Sequence, residues 1–330
     1  MKAIVLKQYG GIENLKLEEI EKPVPKDNEV LVKVISASIN DWDWALLTGK
    51  PFVIRMLYGA FFKPKIKILG VDIAGKVVAM GKAVTAFKPG DEVYGDLSEC
   101  GFGGFAQYVC AEAKALTIKP SNMTFDQAAA IPHAAALTTQ GLIDEGKIEK
   151  GQQVLINGAG GGVGTFGIQI AKLYQAEVTG VDSLDKQAMM KSMGYDETIN
   201  YQSEDFTKNG KQYDLILDTK TNRSPFQYLK SLKSGGKYVT VGGHMSRLIQ
   251  IVFLGPLIKL ITGKQLKLLS LKPNKNSDYI NELYSAGKIR PVIDGPYPLE
   301  KMPQALDYFG QGKHKGKIII SVGDEDNTLI

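Results

Sequence analysis

Cysteine and histidine are scarce. The 330 residues include only Cys100 and Cys110, with His133, His244 and His314. A disulfide framework is excluded, and free thiols suit a reducing compartment, so the expected location is cytoplasmic. A four-cysteine zinc site is excluded by count. No CxxC, HxxxH or HExxH spacing occurs, and the cysteines and histidines are scattered, so no metal is expected. Long apolar runs are missing too: none is expected to reach the roughly 18 residues of a membrane-spanning helix. The N-terminal Met1-Lys2-Ala3-Ile4-Val5-Leu6 reads as a strand, without the order of a signal peptide. Charge of one sign is lacking. Forty Lys and Arg against 35 Asp and Glu leave a net charge of +5, spread along the chain, which gives no ground for a nucleic-acid partner. There is no internal repeat. What remains is 44% apolar and 23% charged, the balance of a folded chain of about two domains.

The first third has the period of short strands. Glu29–Ile35 alternates polar and apolar residues, Gly70–Val78 is a second strand candidate, and Lys88-Pro89-Gly90-Asp91 is a turn followed by Glu92-Val93-Tyr94. The pattern changes near residue 124, where Thr124 and Gln127 form a capping box ahead of Ala128-Ala129-Ala130. Beyond it, apolar strands (Val154-Leu155-Ile156, Glu177–Val181, Thr198–Asn200, Asp214–Leu217, Tyr238–Val241) alternate with helical segments at 165–174 and 185–193. Leu266–Leu271 is the candidate sixth strand. Unbroken apolar strands between helices imply a parallel sheet covered on both faces. An edge strand there offers pairing to a second copy.

Between Ile156 and the first of these helices lies Asn157-Gly158-Ala159-Gly160-Gly161-Gly162-Val163-Gly164. Its Ala-x-Gly-x-x-Gly form follows a strand and opens a helix. Asp182 stands at the tip of the next strand, 18 residues after Gly164. In that context the pattern is a dinucleotide fingerprint. Gly161 admits a pyrophosphate to the backbone, Gly164 lets the helix pack closely, and the helix N-terminus attracts the phosphates. The cofactor-binding candidates are therefore Ala159, Gly160, Gly161, Gly162, Val163, Gly164 and Asp182. A carboxylate at 182 accepts ribose hydroxyls and favours NADH over NADPH, whereas Lys186 four residues on pulls toward the phosphorylated form. The alternative for Asp182 is a helix cap.

Several stretches together resemble the zinc-independent quinone oxidoreductase branch of the medium-chain dehydrogenase/reductase superfamily, and within it the reticulon-interacting-protein-like and alkenal/quinone reductases. They are Ala37-Ser38-Ile39-Asn40-Asp41-Trp42-Asp43, Leu69–Gly75, Phe87–Val93, the glycine-rich turn and Gly312–Lys317. The resemblance covers nearly the whole chain. It implies an α/β protein with a GroES-like β-rich domain (1–122 and 273–330) and a Rossmann domain with a doubly wound parallel sheet (123–272). NAD(P)H and substrate would sit in the cleft between the domains. The zinc members place Cys where this chain has Asn40 and His where it has Val71. By resemblance Thr138 lies near the nicotinamide, Lys186 and Tyr201 match positions that contact the 2′-phosphate or adenine in NADPH-dependent members, and Gly242 and Gly243 lie where the cofactor crosses the sheet edge. Thr138, Tyr201 and the two glycines also have structural alternatives: a cap, a packed ring and a plain turn.

Without a metal no Lewis acid polarises a carbonyl, so a conjugated enone or a quinone, whose reduction product is a delocalised anion, is the favoured acceptor. Asn40 is the candidate oxyanion donor, with a structural amide as its alternative. Tyr58 is a candidate pocket or proton-donating residue, and Asp43 is expected to be structural. His133 reads as a buried, hydrogen-bonded imidazole, with proton donation as its alternative; His244 is expected to cap its loop. The apolar stretch 248–261, interrupted by Gly255-Pro256, is expected to pack as a pocket wall or to meet a membrane surface as an amphipathic patch, with 52–62 joining either arrangement. A homodimer is the expected assembly. The competing readings of function are a nucleotide-binding adaptor or membrane-peripheral protein with little turnover, and a zinc-free alcohol dehydrogenase.

Overall fold

The computed structural model describes residues 1–58 and 63–323, and the chain divides into two compact units. Unit 1 comprises Met1–His133, Pro273–Ser277 and Val292–Ile330; unit 2 comprises Ala134–Lys272 and Asp278–Pro291. Of the apolar stretch 52–62, residues 59–62 lie outside the described residues.

In unit 1 the alternation at 29–35 forms a longer strand, Glu29–Ser38, which is the spine of a seven-stranded sheet. It pairs antiparallel with Asp72–Met80 along its length, with Tyr108–Glu112 over its first half, and with Lys317–Ser321 at its end. Glu92–Asp96 continues the sheet beyond Asp72–Met80. The register places Ser38 opposite Asp72 and Asp72 opposite Asp96, so two buried carboxylates face each other across neighbouring strands. Val30, Val32, Val34, Ile73, Val77, Val93, Ile318 and Ile320 fill the core. The capping box at Thr124 forms as expected, with Thr124 N donating to Gln127 Oε1 and Gln127 N to Thr124 Oγ1. The helix it opens packs on unit 1, where Ser36 Oγ donates to Asp126. That is why unit 1 extends to His133, past the expected boundary at 122.

Unit 2 is a six-stranded parallel sheet. In space the strands run Glu197–Asn200, Glu177–Asp182, Gln153–Asn157, Tyr213–Asp218, Leu232–Thr240, Gln265–Leu268. Counted along the chain this is the order 3-2-1-4-5-6, with the reversal beside Gln153–Asn157, where such sheets bind ligands at their carboxyl ends. Leu155, Val181, Ile199, Ile216 and Tyr238 form its core. Residues 278–291 join this unit rather than the first, and Arg290 N donates to Gln169 Oε1 while Gln169 Nε2 donates to Arg290 O.

Two expectations are corrected. The stretch 248–261 is not interrupted at Gly255-Pro256: one helix, Met245–Thr262, runs through both residues. At 18 residues it is also long and apolar enough to cross a membrane, contrary to the reading that no such run exists. Its ends are joined to the adjacent strands Leu232–Thr240 and Gln265–Leu268, and Ile251 and Ile258 pack into the unit 2 core, so it is a crossover helix of the sheet.

Candidate functional site

The glycine-rich turn leaves the carboxyl end of Gln153–Asn157 and enters the helix Gly162–Leu173. Gly158 N and Ala159 N donate to Val181 O, and Gly161 N to Gly158 O, so the turn is fixed by its own backbone. Gly158 has φ +88°, a conformation that favours glycine. The first intrahelical bond is Thr165 N to Gly161 O. The amides of Gly162, Val163 and Gly164 thus belong to the open first turn, and no side chain caps it. A Cβ on Gly164 would lie 2.4 Å from the Ala159 backbone, and Tyr195 Oη, donating to Gly164 O at 2.9 Å, locks helix against turn. Burial and the nearby Asp182 charge hold that phenol well above its ordinary pKa, so it stays a donor. The open amides of Gly162, Val163 and Gly164 and the helix dipole fit a dinucleotide diphosphate.

The residues expected around this turn are placed as follows. Asp182 ends the second strand with its carboxylate turned inward: Oδ2 accepts from Gly160 N and Oδ1 from Ser183 N, each at 2.8 Å. Lys186 is buried, with Nζ 3.5 Å from Asp182 Oδ1 and its stem lying where a Cβ on Gly160 would be. The Asp182 charge is therefore paired, and the ground for an NADH preference weakens. Tyr201 is exposed just past the third strand, and its N donates to Asp182 O. Thr138 is buried; its hydroxyl lies 2.8 Å from Ala134 O and 2.9 Å from Val163 O, which pins its helix to the turn. Gly242 and Gly243 follow the fifth strand, and a Cβ on Gly243 would strike Lys220 O. His244 precedes the helix Met245–Thr262 without a side-chain capping bond.

Unit 1 holds the second cluster. Asp72, in the otherwise apolar run Val71–Ala74, is fully buried. Its Oδ2 accepts from Ser38 Oγ (2.9 Å), Asn40 Nδ2 (3.0 Å) and Lys317 Nζ (3.1 Å), and its Oδ1 accepts from His133 N (3.1 Å). Lys317 Nζ also donates to Asn40 Oδ1 (2.6 Å) and Ile39 O (3.2 Å), so all three ammonium hydrogens have acceptors. Asn40 is thereby spent at both ends of its amide, its second Nδ2 hydrogen going to Ser38 O at 3.5 Å. The oxyanion-donor role expected of it has no free hydrogen to work with, and its structural alternative fits the geometry. Asp43 accepts from Asn40 N and Gly70 N, each at 2.8 Å, and burial pushes its pKa up to about 7. It is structural, as expected. Tyr58 packs edge-on against Trp42 and Phe102.

His133 is buried with Nδ1 2.7 Å from Asp96 Oδ2. Burial pulls its pKa down, but the hydrogen bond and charge of Asp96 and the charge of Asp72 outweigh that, so it is raised overall. Burial likewise pushes Asp96 up, while His133 and the Ser98 amide more than reverse it. Both directions favour the ion pair. The sequence reading missed the chemistry of Asp72, Asp96 and Lys317. The available signal was a charged residue at one end of each of three largely apolar strands, since buried charges need partners.

Among the described residues, Asp72, Asp96 and His133 have side-chain atoms within 4.8 Å of one another, the donor set of a divalent metal site. They do not fit zinc as arranged. His133 and Asp96 are bonded to each other, and the Lys317 ammonium already holds Asp72.

The helix Met245–Thr262 leaves Ile249, Val252, Phe253, Leu257, Leu260 and Ile261 exposed, Leu260 to 84%. The positive charge is also less evenly spread than expected, because no Asp or Glu occurs between Asp218 and Asp278.

Two family models match the chain: an alcohol dehydrogenase GroES-like domain over 26–121 and a zinc-binding dehydrogenase over 193–320. An NADPH-dependent alkenal/one oxidoreductase of Arabidopsis thaliana is 32% identical over 331 residues, covering 97% of this chain and 79% of that protein. A chloroplast envelope quinone oxidoreductase homolog of the same plant is 32% identical over 336 residues, covering 97% and 98%. The solved quinone oxidoreductase of Coxiella burnetii superposes with a TM-score of 0.88 at 28% identity, covering 98% and 99%.

Proposed function

The chain belongs to the medium-chain dehydrogenase/reductase superfamily, in the branch of quinone and alkenal oxidoreductases, and from that premise we propose that it reduces quinones or α,β-unsaturated carbonyls with a nicotinamide cofactor and without a metal. The observation that carries this reading is the uncapped glycine-rich turn at the reversal point of the parallel sheet. When bound, the nicotinamide supplies the hydride. The amides of Gly162, Val163 and Gly164 hold the diphosphate, and Thr138 keeps its helix fastened to that turn. Asp182, Lys186 and Tyr201 receive the adenine ribose. Because Lys186 compensates the Asp182 carboxylate, the site accepts NADPH as well as NADH. In unit 1, Asn40 positions the Lys317 ammonium, and Tyr58 with Trp42 and Phe102 offers an apolar surface suited to a planar acceptor.

The test is NADH and NADPH oxidation across a panel of quinones and enones, with and without a chelator. Acceleration indifferent to the chelator is expected. Tight nucleotide binding with no turnover would favour the adaptor reading instead, and loss of activity on chelation would refute metal independence. Lys186→Ala should weaken NADPH more than NADH, and Asp182→Ser should do the opposite. Equal effects on both cofactors would refute this account of the ribose end.

We also propose a homodimer formed through the edge strand Gln265–Leu268, which among the described residues is paired on one side only, with the apolar face of Met245–Thr262 beside it. The acid-free run after Asp218 supports a second reading, contact of the same face with an anionic membrane. Light scattering and co-sedimentation with anionic vesicles separate the two.

A further inference from the structure

We propose that Asp218, a buried carboxylate with no cation paired to it, favours the oxidised, cationic nicotinamide over the reduced, neutral one and so assists hydride release. The inference rests on the reductase reading and adds to it a charged residue outside the glycine-rich turn.

Asp218 is the last residue of the fourth strand of unit 2 and is fully buried. In a sheet of order 3-2-1-4-5-6, each half takes one mononucleotide across the reversal. The diphosphate belongs to the turn after the first strand, and the adenine ribose to Asp182 at the end of the second. The carboxyl ends of the fourth and fifth strands, with Asp218 and Thr240, therefore lie in the half that receives the nicotinamide.

Only neutral donors hold this carboxylate. Oδ1 accepts from Asn157 Nδ2 (2.8 Å), Lys220 N (2.7 Å) and Thr221 N (3.1 Å), and Oδ2 accepts from Tyr238 Oη (2.8 Å). Four donors suit a carboxylate, which only accepts. The polar chain runs on from Tyr238 Oη to Thr221 Oγ1 (3.0 Å), then to Thr240 Oγ1 and the Gly242 backbone. Other buried carboxylates have cations: Asp72 has Lys317, Asp96 has His133, and Asp182 has Lys186. Among the described residues Asp218 forms no ion pair, and Lys220, whose backbone amide it holds, is exposed. A buried charge without a counter-charge is costly, and a bound cation relieves it.

Hydride release is the step in which such a cation appears. One proton and two electrons pass together to the acceptor, which becomes an anion and takes a proton from water. The ring left behind carries one positive charge. A fixed anion in a buried place stabilises that charge as it develops and requires no reorganisation.

Asp218→Asn tests the charge separately from the hydrogen bonds. Its Oδ1 can keep three donors while its Nδ2 donates to Tyr238 Oη, since a hydroxyl both donates and accepts, and Tyr238 then donates to Thr221. Tyr238→Phe does the reverse, keeping the charge and losing one bond. Dissociation constants of the full chain for NADP+, NADPH, NAD+ and NADH are measured by calorimetric titration. In Asp218→Asn the ratio of the oxidised to the reduced constant should rise about three- to tenfold over wild type, equally in the phosphorylated and unphosphorylated pairs. In Tyr238→Phe that ratio should stay within about twofold of wild type. A purely structural role would weaken both forms alike, so an unchanged ratio in Asp218→Asn overturns the proposal. So does an equal rise in Tyr238→Phe. Asp218→Ser, smaller and also uncharged, is the second variant. If neither charge-free variant folds, the carboxylate serves the fold alone and the proposal falls. Wild type that binds none of the four nucleotides would refute the cofactor reading itself, so the two failures are distinguishable.

Discussion

Replacing Lys317 with Met keeps most of the side-chain volume but removes the cation that Asp72 faces. The carboxylate would then remain fully buried with Ser38 Oγ, Asn40 Nδ2 and His133 N as its donors, and with Asp96 opposite it. Breaking a buried ion pair by removing one partner costs about 3–5 kcal/mol. That is a large share of the roughly 5–15 kcal/mol by which domains are stable. Asp72→Asn combined with Lys317→Met removes the stranded charge but leaves one amide hydrogen facing a donor, a penalty of about 1–3 kcal/mol. The double variant should therefore recover part of the loss, and the cycle should show a coupling of at least about 1.5 kcal/mol. Both tryptophans, Trp42 and Trp44, lie in unit 1, so urea unfolding followed by tryptophan fluorescence reports on the unit concerned. A single variant losing less than about 1 kcal/mol would refute the claim that this ion pair neutralises a buried charge, as would a double variant no more stable than the single.

Three further outcomes follow from the same geometry. Gly164→Ala places a Cβ 2.4 Å from the Ala159 backbone, so the helix must shift away from the turn. A stability loss of about 1–3 kcal/mol and a clear drop in nucleotide affinity are expected by thermal unfolding and fluorescence titration, and unchanged affinity would refute the close-packing role. Unit 1 stability should fall as pH rises from about 4 to about 7, with His133 carrying the fall on above its ordinary range. Asp43, raised to about 7 by burial, contributes stability present below its unfolded value and lost as pH passes through about 7, and His133, also raised, acts in the same direction. The fluorescence-detected urea midpoint measures this, and a flat or rising midpoint would contradict it. Leu260→Glu alters a side chain 84% exposed, so the fold should survive while dimer formation or vesicle binding is lost; retention of both would remove this face from either role.

The parallel sheet and the glycine-rich turn are legible in the sequence because each rests on local patterning. Apolar strands, the capping box at Thr124 and the run Asn157–Gly164 carry their own signals within a few residues. The boundary at His133 is less legible, since a helix-type pattern at 124 does not say which core the helix will pack on. The crossover helix Met245–Thr262 reads as interrupted, although a proline inside a helix bends it or removes one bond without necessarily ending it. The buried cluster is the hardest to see. Asn40, Asp72, Asp96, His133 and Lys317 lie far apart in sequence; strand register brings Asp72, Asp96 and Lys317 together, and Asn40 and His133 join them from the starts of two helices, so no spacing rule connects them.

That register also explains why Asn40 departs from its expected role. An amide beside a developing oxyanion needs a free hydrogen, but a buried ammonium needs an oxygen, and Asn40 Oδ1 is 2.6 Å from Lys317 Nζ. Orienting the amide for Lys317 commits Nδ2 to Asp72 and Ser38 O. The residue cannot serve both demands in one rotamer, and the buried charge, with the larger penalty for being left unpaired, fixes the choice. Asn40→Asp makes the argument concrete: it would add a third carboxylate to this group, balanced only by Lys317 and His133. Asn40→Ala would instead strip one of the three ammonium acceptors. Both should lower the fluorescence-detected stability of unit 1. If Asn40→Ala slowed turnover while leaving that stability intact, the amide would belong to the reaction rather than to the ammonium.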